Sequence, residues 1–223
     1  MSEVTLTIDG QRVTVPAGTT IWDAAALAGI DIPVLCHDPR LEPVGVCRVC
    51  AVDVGERTLP AACVRKAEDG MDVRTQTDEI QAHRRVLTEL LLADQPPVSR
   101  REATTGDDGL YALARKVEVG DIPWPDDSAR AARGQDTSSP VIAVDHQACI
   151  LCDRCVRACD EVQHNDVITR TGKGYSTRIA FDLDVPMGES SCVSCGECVA
   201  ACPTGALTHQ FPGATTTAGE ERA

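Results

Sequence analysis

Eight of the twelve cysteines fall in one pattern written twice. The stretch CILCDRCVRAC places Cys149, Cys152, Cys155 and Cys159 at C-x2-C-x2-C-x3-C. CVSCGECVAACP places Cys192, Cys195, Cys198 and Cys202 at the same spacing, with Pro203 behind. Three thiolates at steps of three can wrap a short loop around one cube of iron and sulfide. Zinc also uses C-x2-C pairs, but it takes four ligands in a tetrahedral set, usually as two separated pairs. A third cysteine at the same step in both copies fits that poorly. The likeness extends past the ligands: Val156 matches Val199 and Ala158 matches Ala201, as a duplication would leave. Ile150, Leu151 and Val193 stand between ligands, where apolar cover and amides aimed at sulfur tune a cluster.

The two runs resemble those of bacterial two-cluster ferredoxins, in which the fourth cysteine of each run binds the other run's cluster. That resemblance implies one [4Fe-4S] cluster on Cys149, Cys152, Cys155 and Cys202, and a second on Cys159, Cys192, Cys195 and Cys198. The other four cysteines, Cys36, Cys47, Cys50 and Cys63, stand at C-x10-C-x2-C-x12-C. Their order resembles the plant-type [2Fe-2S] pattern, although the first gap is longer. Gly45 gives the backbone freedom to turn amides toward such a cluster. On spacing alone zinc competes here, since one C-x2-C and two single cysteines can be tetrahedral; the two ferredoxin runs downstream favour [2Fe-2S].

Composition sets limits on the rest. Only 3% of the chain is aromatic, so apolar cores are thin and clusters are expected to serve as cores. The N-terminus, MSEVTLTIDGQRVTV, lacks a charged segment followed by an apolar run, and no stretch has the length of a bilayer span. The expectation is a cytoplasmic protein without membrane insertion, whose cysteines bind metal rather than form disulfides. The formal charge is -13, and it falls to about -19 with twelve thiolates and three oxidised cores of about +2 each. Such a surface repels nucleic acid and favours basic partner surfaces.

The elements that must hold these cysteines can be read in order. VTLTIDGQRVTV is two alternating runs joined by Asp9-Gly10, a hairpin. Thr20 caps a short helix that ends at Gly29. A strand is predicted over 71–75, and then a helix capped by Thr77, with Ile80, Leu87, Leu90 and Leu91 on one face until Pro96 and Pro97. Further on, the pattern gives a helix over 110–119, an exposed Pro/Asp/Ser-rich linker, a strand over 141–148 and another over 175–182. The expected class is α+β. A ubiquitin-like β-grasp [2Fe-2S] domain (1–76) precedes a helical connecting segment (77–140), a two-cluster ferredoxin-like domain (141–210) and a disordered tail (211–223).

From Val4 to His209 this order of domains resembles the N-terminal iron–sulfur module of the respiratory complex I large iron–sulfur subunit. It is also similar to NAD-linked formate dehydrogenase α subunits and to the diaphorase small subunit of NAD-reducing nickel–iron hydrogenases. The resemblance implies a relay with no catalytic residues of its own. Electrons would pass between a flavin-containing NADH-oxidising subunit and a separate catalytic oxidoreductase subunit. The wording of the two cysteine runs points to a molybdenum- or tungsten-dependent formate dehydrogenase, with the hydrogenase diaphorase as the alternative. A free-standing ferredoxin-type carrier and a purely structural use of the clusters stay open. Members of this family carry a further cluster on one His and three Cys at H-x3-C-x2-C-x5-C, which would fall in ADQPPVSRREATTGDDGLYAL. No cysteine lies between Cys63 and Cys149 and no histidine between His83 and His146, so that cluster is expected to be missing. Either that cluster is a side branch in the family, or the [2Fe-2S] domain hands electrons directly to one of the cubes, which requires the two domains to pack closely with the 96–140 segment around the outside.

Overall fold

The computed structural model describes residues 2–122 and 133–210. The middle of the Pro/Asp/Ser-rich linker and the expected disordered tail lie outside the described residues. Strands β1 (Glu3–Ile8) and β2 (Gln11–Pro16) form the expected antiparallel hairpin. Asp9 and Gly10 turn it with φ of 48° and 82°, the left-handed pair that a two-residue hairpin loop needs. Thr20 caps helix α1 (Ile21–Leu27) by accepting from the Asp23 amide. Strand β3 is limited to Asp72–Val73 and lies parallel to β1, giving the order β2-β1-β3. Leu6, Ile8, Val15, Ile21 and Val73 fill the space between this sheet and α1.

Thr77 caps helix α2 (Asp78–Ala93), which stops before the two prolines as expected. Its buried face matches the predicted one only in part: Ile80 is buried and Leu91 packs against the core of Leu35, Val49, Leu110 and Leu113. Ile80, Arg84 and Thr88 point inward at steps of four, whereas Leu90 is 44% exposed. The neighbouring loop offers bare carbonyls rather than methyl groups, so a guanidinium satisfies them better than a leucine would.

Next come α3 (Arg100–Thr104), which has no counterpart among the predicted elements, and α4 (Gly109–Lys116), shorter than its predicted 110–119. Helix α4 does not run around the outside. Leu110 and Leu113 join Leu35 and Val49 in a shared core against which Ile150 of the first cysteine run packs. The two halves of the chain meet there.

The C-terminal half contains β4 (Gln135–Asp136), β5 (Ile142–Asp145) and β8 (Leu207–His209) in the order β4-β5-β8. Strands β6 (Ile168–Thr171) and β7 (Arg178–Phe181) form a separate hairpin. The predicted strand over 175–182 is trimmed by a 3-10 turn at Gly174–Ser176, and its partner β6 was not foreseen. Helices α5 (Arg154–Arg157) and α6 (Glu197–Ala201) each begin inside a cysteine run.

The segment where a further cluster would fall is held by hydrogen bonds. The fully buried Asp108 accepts from the Ser99 hydroxyl at 2.6 Å, the Leu110 amide at 2.9 Å and the Gly205 amide at 3.0 Å. The Gly109 amide donates to the Pro203 carbonyl at 2.7 Å, and Arg101 donates to the Cys202 carbonyl at 2.6 Å. A Cβ on Gly205 would stand 2.9 Å from Ser99 Cβ, so the approach requires glycine.

Candidate metal centres

The cysteines gather in the two regions that the spacing implied. In the N-terminal half, Cys36, Cys50 and Cys63 are buried and Cys47 is half-buried. The Cys36 amide donates to the Cys47 sulfur and the Cys47 amide to the Cys36 sulfur, both at 3.5 Å, while the Cys50 and Cys63 sulfurs are 3.4 Å apart. The loop reaches this shape through Gly45 (φ 62°) and Arg48 (φ 60°). A Cβ on Gly45 would press on Val64 at 2.9 Å. The Cys36 thiol is pushed far down by hydrogen bonds from Cys47 and Cys63, while those two are raised by their hydrogen bonds to Cys36 and by burial. Cys50 is lowered too, to about 7, by its hydrogen bond from Cys63, so the protein alone favours Cys36 and Cys50 as the thiolates among these four. Full ionisation needs a cationic core between them.

The two C-terminal runs adopt the same backbone. Leu151 and Ser194 have φ of 54° and 56°; Asp153 and Gly196 have φ of 59° and 84°. The Leu151 amide donates to the Cys149 sulfur and the Ser194 amide to the Cys192 sulfur, each at 3.4 Å. The duplication seen in sequence is thus a duplication of loop geometry, with amides turned toward sulfur in both copies.

The fourth cysteine of each run is close enough to the other run for its charge to act there. Burial pushes the Cys149 thiol up to about 11 and the Cys152 thiol up to about 12, with the charge of Cys202 adding to both. Cys155 is raised further, by burial and then by Cys152, Cys149, Cys202 and Cys198. Burial also pushes Cys198 up to about 12, and there the added charges are those of Cys192, Cys195 and Cys159. No three of the described Cys, His, Asp or Glu side chains surround a single ion position. A cluster does not ask for that, because its thiolates are shared among several irons. The donor sets fit clusters: four thiols to a set, amides at sulfur, and burial that only a bound cationic core offsets.

Residues other than the cysteines bind the two regions together. Arg154 bonds Asp38 at 2.9 Å and the Leu35 carbonyl at 3.3 Å; Arg157 donates to the Cys36 carbonyl at 2.7 Å and to that of Glu42. Arg40 pairs with Glu197 at 3.1 Å, which ties the N-terminal half to the second run as well. The Asp38 carboxyl is held far below the usual range: burial raises it, but bonds from Arg40 and Arg154 outweigh that. Arg84 reaches the [2Fe-2S]-type loop from α2, donating to the carbonyls of Val49, Thr75 and Ala51. Beside Cys36, the buried His37 ring meets Trp22 edge-on at 4.5 Å.

Spacing alone gave no sign of Arg84, but the repeat did carry one for the other two. Arg154 and Arg157 occupy the positions that Glu197 and Ala200 hold in the second run. That asymmetry marks the run that faces the N-terminal half. The first set of thiols is buried throughout, whereas Cys195 is exposed. Val193 is also exposed beside Cys195, as are Val44, Val46 and Val64 around Cys47.

Comparison with known families agrees with this arrangement. The 2Fe-2S iron-sulfur cluster binding domain matches residues 1–78, and the 4Fe-4S dicluster domain matches residues 143–206. The chain therefore carries a [2Fe-2S] domain and a [4Fe-4S] dicluster domain, and its cysteines fit one [2Fe-2S] and two [4Fe-4S] clusters. Nearly end to end it resembles subunits of NAD(P)-linked oxidoreductases. It is 36% identical to the NADP-reducing hydrogenase subunit HndD of Solidesulfovibrio fructosivorans, over 95% of this chain and 37% of that one. It is 38% identical to the NADPH-Fe(3+) oxidoreductase subunit alpha of Geobacter sulfurreducens (92% and 24%). It is 30% identical to the mitochondrial NADH-ubiquinone oxidoreductase 78 kDa subunit of Candida albicans (93% and 29%). The chain thus spans about a quarter to a little over a third of the length of these relatives. A chain in the crystal structure of NAD+-reducing [NiFe]-hydrogenase in the H2-reduced state superposes with a TM-score of 0.85 at 29% identity, covering 96% of this chain and 90% of that one. Among the described residues no helix is long and apolar enough to cross a membrane.

Proposed function

We propose that the chain relays electrons, one at a time, between a flavin-containing subunit that oxidises NADH and a separate catalytic oxidoreductase subunit in the cytoplasm. Cys36, Cys47, Cys50 and Cys63 hold the [2Fe-2S] cluster. Cys149, Cys152, Cys155 and Cys202 hold one [4Fe-4S] cluster; Cys159, Cys192, Cys195 and Cys198 hold the other. When bound, the clusters supply the redox chemistry, and the chain's own residues bury them, aim amides at sulfur and fix their spacing. The observation that carries this reading is the direct bonding between cluster loops: Arg157, inside the first run, donates to the carbonyl of Cys36. Such contacts hold the N-terminal cluster loop against the first run without a bridging centre. The apolar rims at Val44, Val46 and Val64 and at Val193 suit partner surfaces at the two ends of the relay.

The terminal partner we read from the cysteine runs is a molybdenum- or tungsten-dependent formate dehydrogenase. A hydrogenase is the second reading, favoured by the fold match to a chain of similar extent in an NAD+-reducing [NiFe]-hydrogenase. Purification of the native complex, followed by assays of formate-dependent and hydrogen-dependent NAD reduction, separates the two. Activity with neither substrate, or a protein that purifies as a lone monomer and reduces many acceptors, defeats both in favour of a free carrier.

A further inference from the structure

Two arginines are buried without a carboxylate partner. Arg84 is 1% exposed and Arg157 is 8% exposed. Every acceptor the structure gives them is a backbone carbonyl: Val49, Thr75 and Ala51 for Arg84, and Cys36 and Glu42 for Arg157. Among the described residues neither forms an ion pair. Asp38, the buried carboxylate near Cys36, is already matched by Arg40 and Arg154. Removing a guanidinium from water is costly when only neutral groups receive it. Such burial is sustained when an anion sits close by.

The acceptors show where that anion belongs. Val49 lies between Cys47 and Cys50, Ala51 follows Cys50, and the Cys36 carbonyl belongs to a cysteine of the same set. Two ferric ions, two sulfides and four thiolates carry a net charge of about -2, and one added electron takes it to about -3. Two guanidinium groups match the oxidised charge and attract the reduced form more strongly still. We infer that Arg84 and Arg157 are the buried counter-charges of the cluster held by Cys36, Cys47, Cys50 and Cys63, and that they raise its reduction potential. This rests on the ligand set proposed above.

The test uses the full chain, purified without oxygen and titrated stepwise with dithionite in the presence of mediators. Electron paramagnetic resonance of the [2Fe-2S] signal follows the reduced fraction. Arg84→Gln and Arg157→Gln should each lower the midpoint, so that the reduced-to-oxidised ratio at the wild-type midpoint falls roughly tenfold. Arg84→Lys and Arg157→Lys, which keep the charge, should stay near the wild-type value. Arg115→Gln, in an exposed pair with Glu102 on the far side of α4, is the control that leaves the midpoint in place. A Gln variant with an intact signal and an unshifted or raised midpoint overturns the assignment for that arginine. If a Gln variant fails to hold the cluster, its Lys counterpart decides. Wild-type behaviour of the Lys form supports the counter-charge role; loss of the cluster there too shows that the carbonyl grip alone matters, and overturns it. Absence of any [2Fe-2S] signal in the wild type would instead remove the ligand set itself.

Discussion

Asp108 ties the connecting segment to the end of the second cysteine run, and its removal should be felt at a distance. The Asp108→Ala change takes away the N-cap of α4, worth about 1 kcal/mol. It also leaves the buried Gly205 amide and Ser99 hydroxyl without their acceptor, at about 1–3 kcal/mol each. The total is about 4 kcal/mol, which for a chain of this size lowers the transition by roughly 12 °C. Asp108→Asn keeps Oδ1 for the cap but turns an NH2 group toward both donors that Oδ2 receives; the Ser99 hydroxyl can rotate to accept from it and the Gly205 amide cannot, so the change should cost about half as much. Loss of cluster is irreversible, so the assay is anaerobic thermal bleaching of the charge-transfer absorbance at a fixed scan rate. Gly205, Pro203 and Cys202 are all bonded to this segment. The cluster completed by Cys202 should therefore bleach before the one completed by Cys159. A transition within about 2 °C of wild type, or earlier loss of the other cluster, would refute this account of how the segment is held.

Further expectations concern the clusters directly. Anaerobically prepared protein should contain ten irons and ten acid-labile sulfides per chain, from one [2Fe-2S] and two [4Fe-4S] centres; stoichiometric zinc with little iron would defeat the iron–sulfur assignment. Cys159→Ala should damage the cluster of Cys192, Cys195 and Cys198, while Cys202→Ala should damage that of Cys149, Cys152 and Cys155. Spectra showing each run losing its own cube would overturn the exchange. Gly205→Ala should push α3 away from the second run and cost about 2 kcal/mol, read as a lower bleaching temperature; an unchanged temperature would mean that Ser99 yields freely.

What could be read in the sequence was what depends on neighbours along the chain. Asp9-Gly10, the Thr20 and Thr77 caps and the cysteine spacings each act over a few residues, and each stands where it was expected. The buried face of α2 could be read that way only in part. Periodicity favours leucines, but the surface that α2 covers is a loop with unsatisfied carbonyls, and Arg84 answers those. The insertion of α4 between the halves depends on distant contacts that no local pattern encodes. Arg154 and Arg157 lie between the two cases. Their difference from Glu197 and Ala200 was visible in the repeat, and only the fold shows that Asp38 and Cys36 are what they meet.

The proposed exchange of fourth cysteines would also fix an order of events during synthesis. The stretch bearing Cys36 to Cys63 is complete when fewer than eighty residues have been made, and it can receive its cluster early. The loop of Cys149, Cys152 and Cys155 has to wait for Cys202, and that of Cys192, Cys195 and Cys198 needs Cys159 brought back to it. Neither cube can be sealed until almost the whole described chain has left the ribosome. Maturation of the C-terminal half is then a single concerted step, in which a nascent chain released with one cube has no stable way to keep it. Arg157 arrives with that step too, so the early cluster gains its last buried contact only when the late ones are seated.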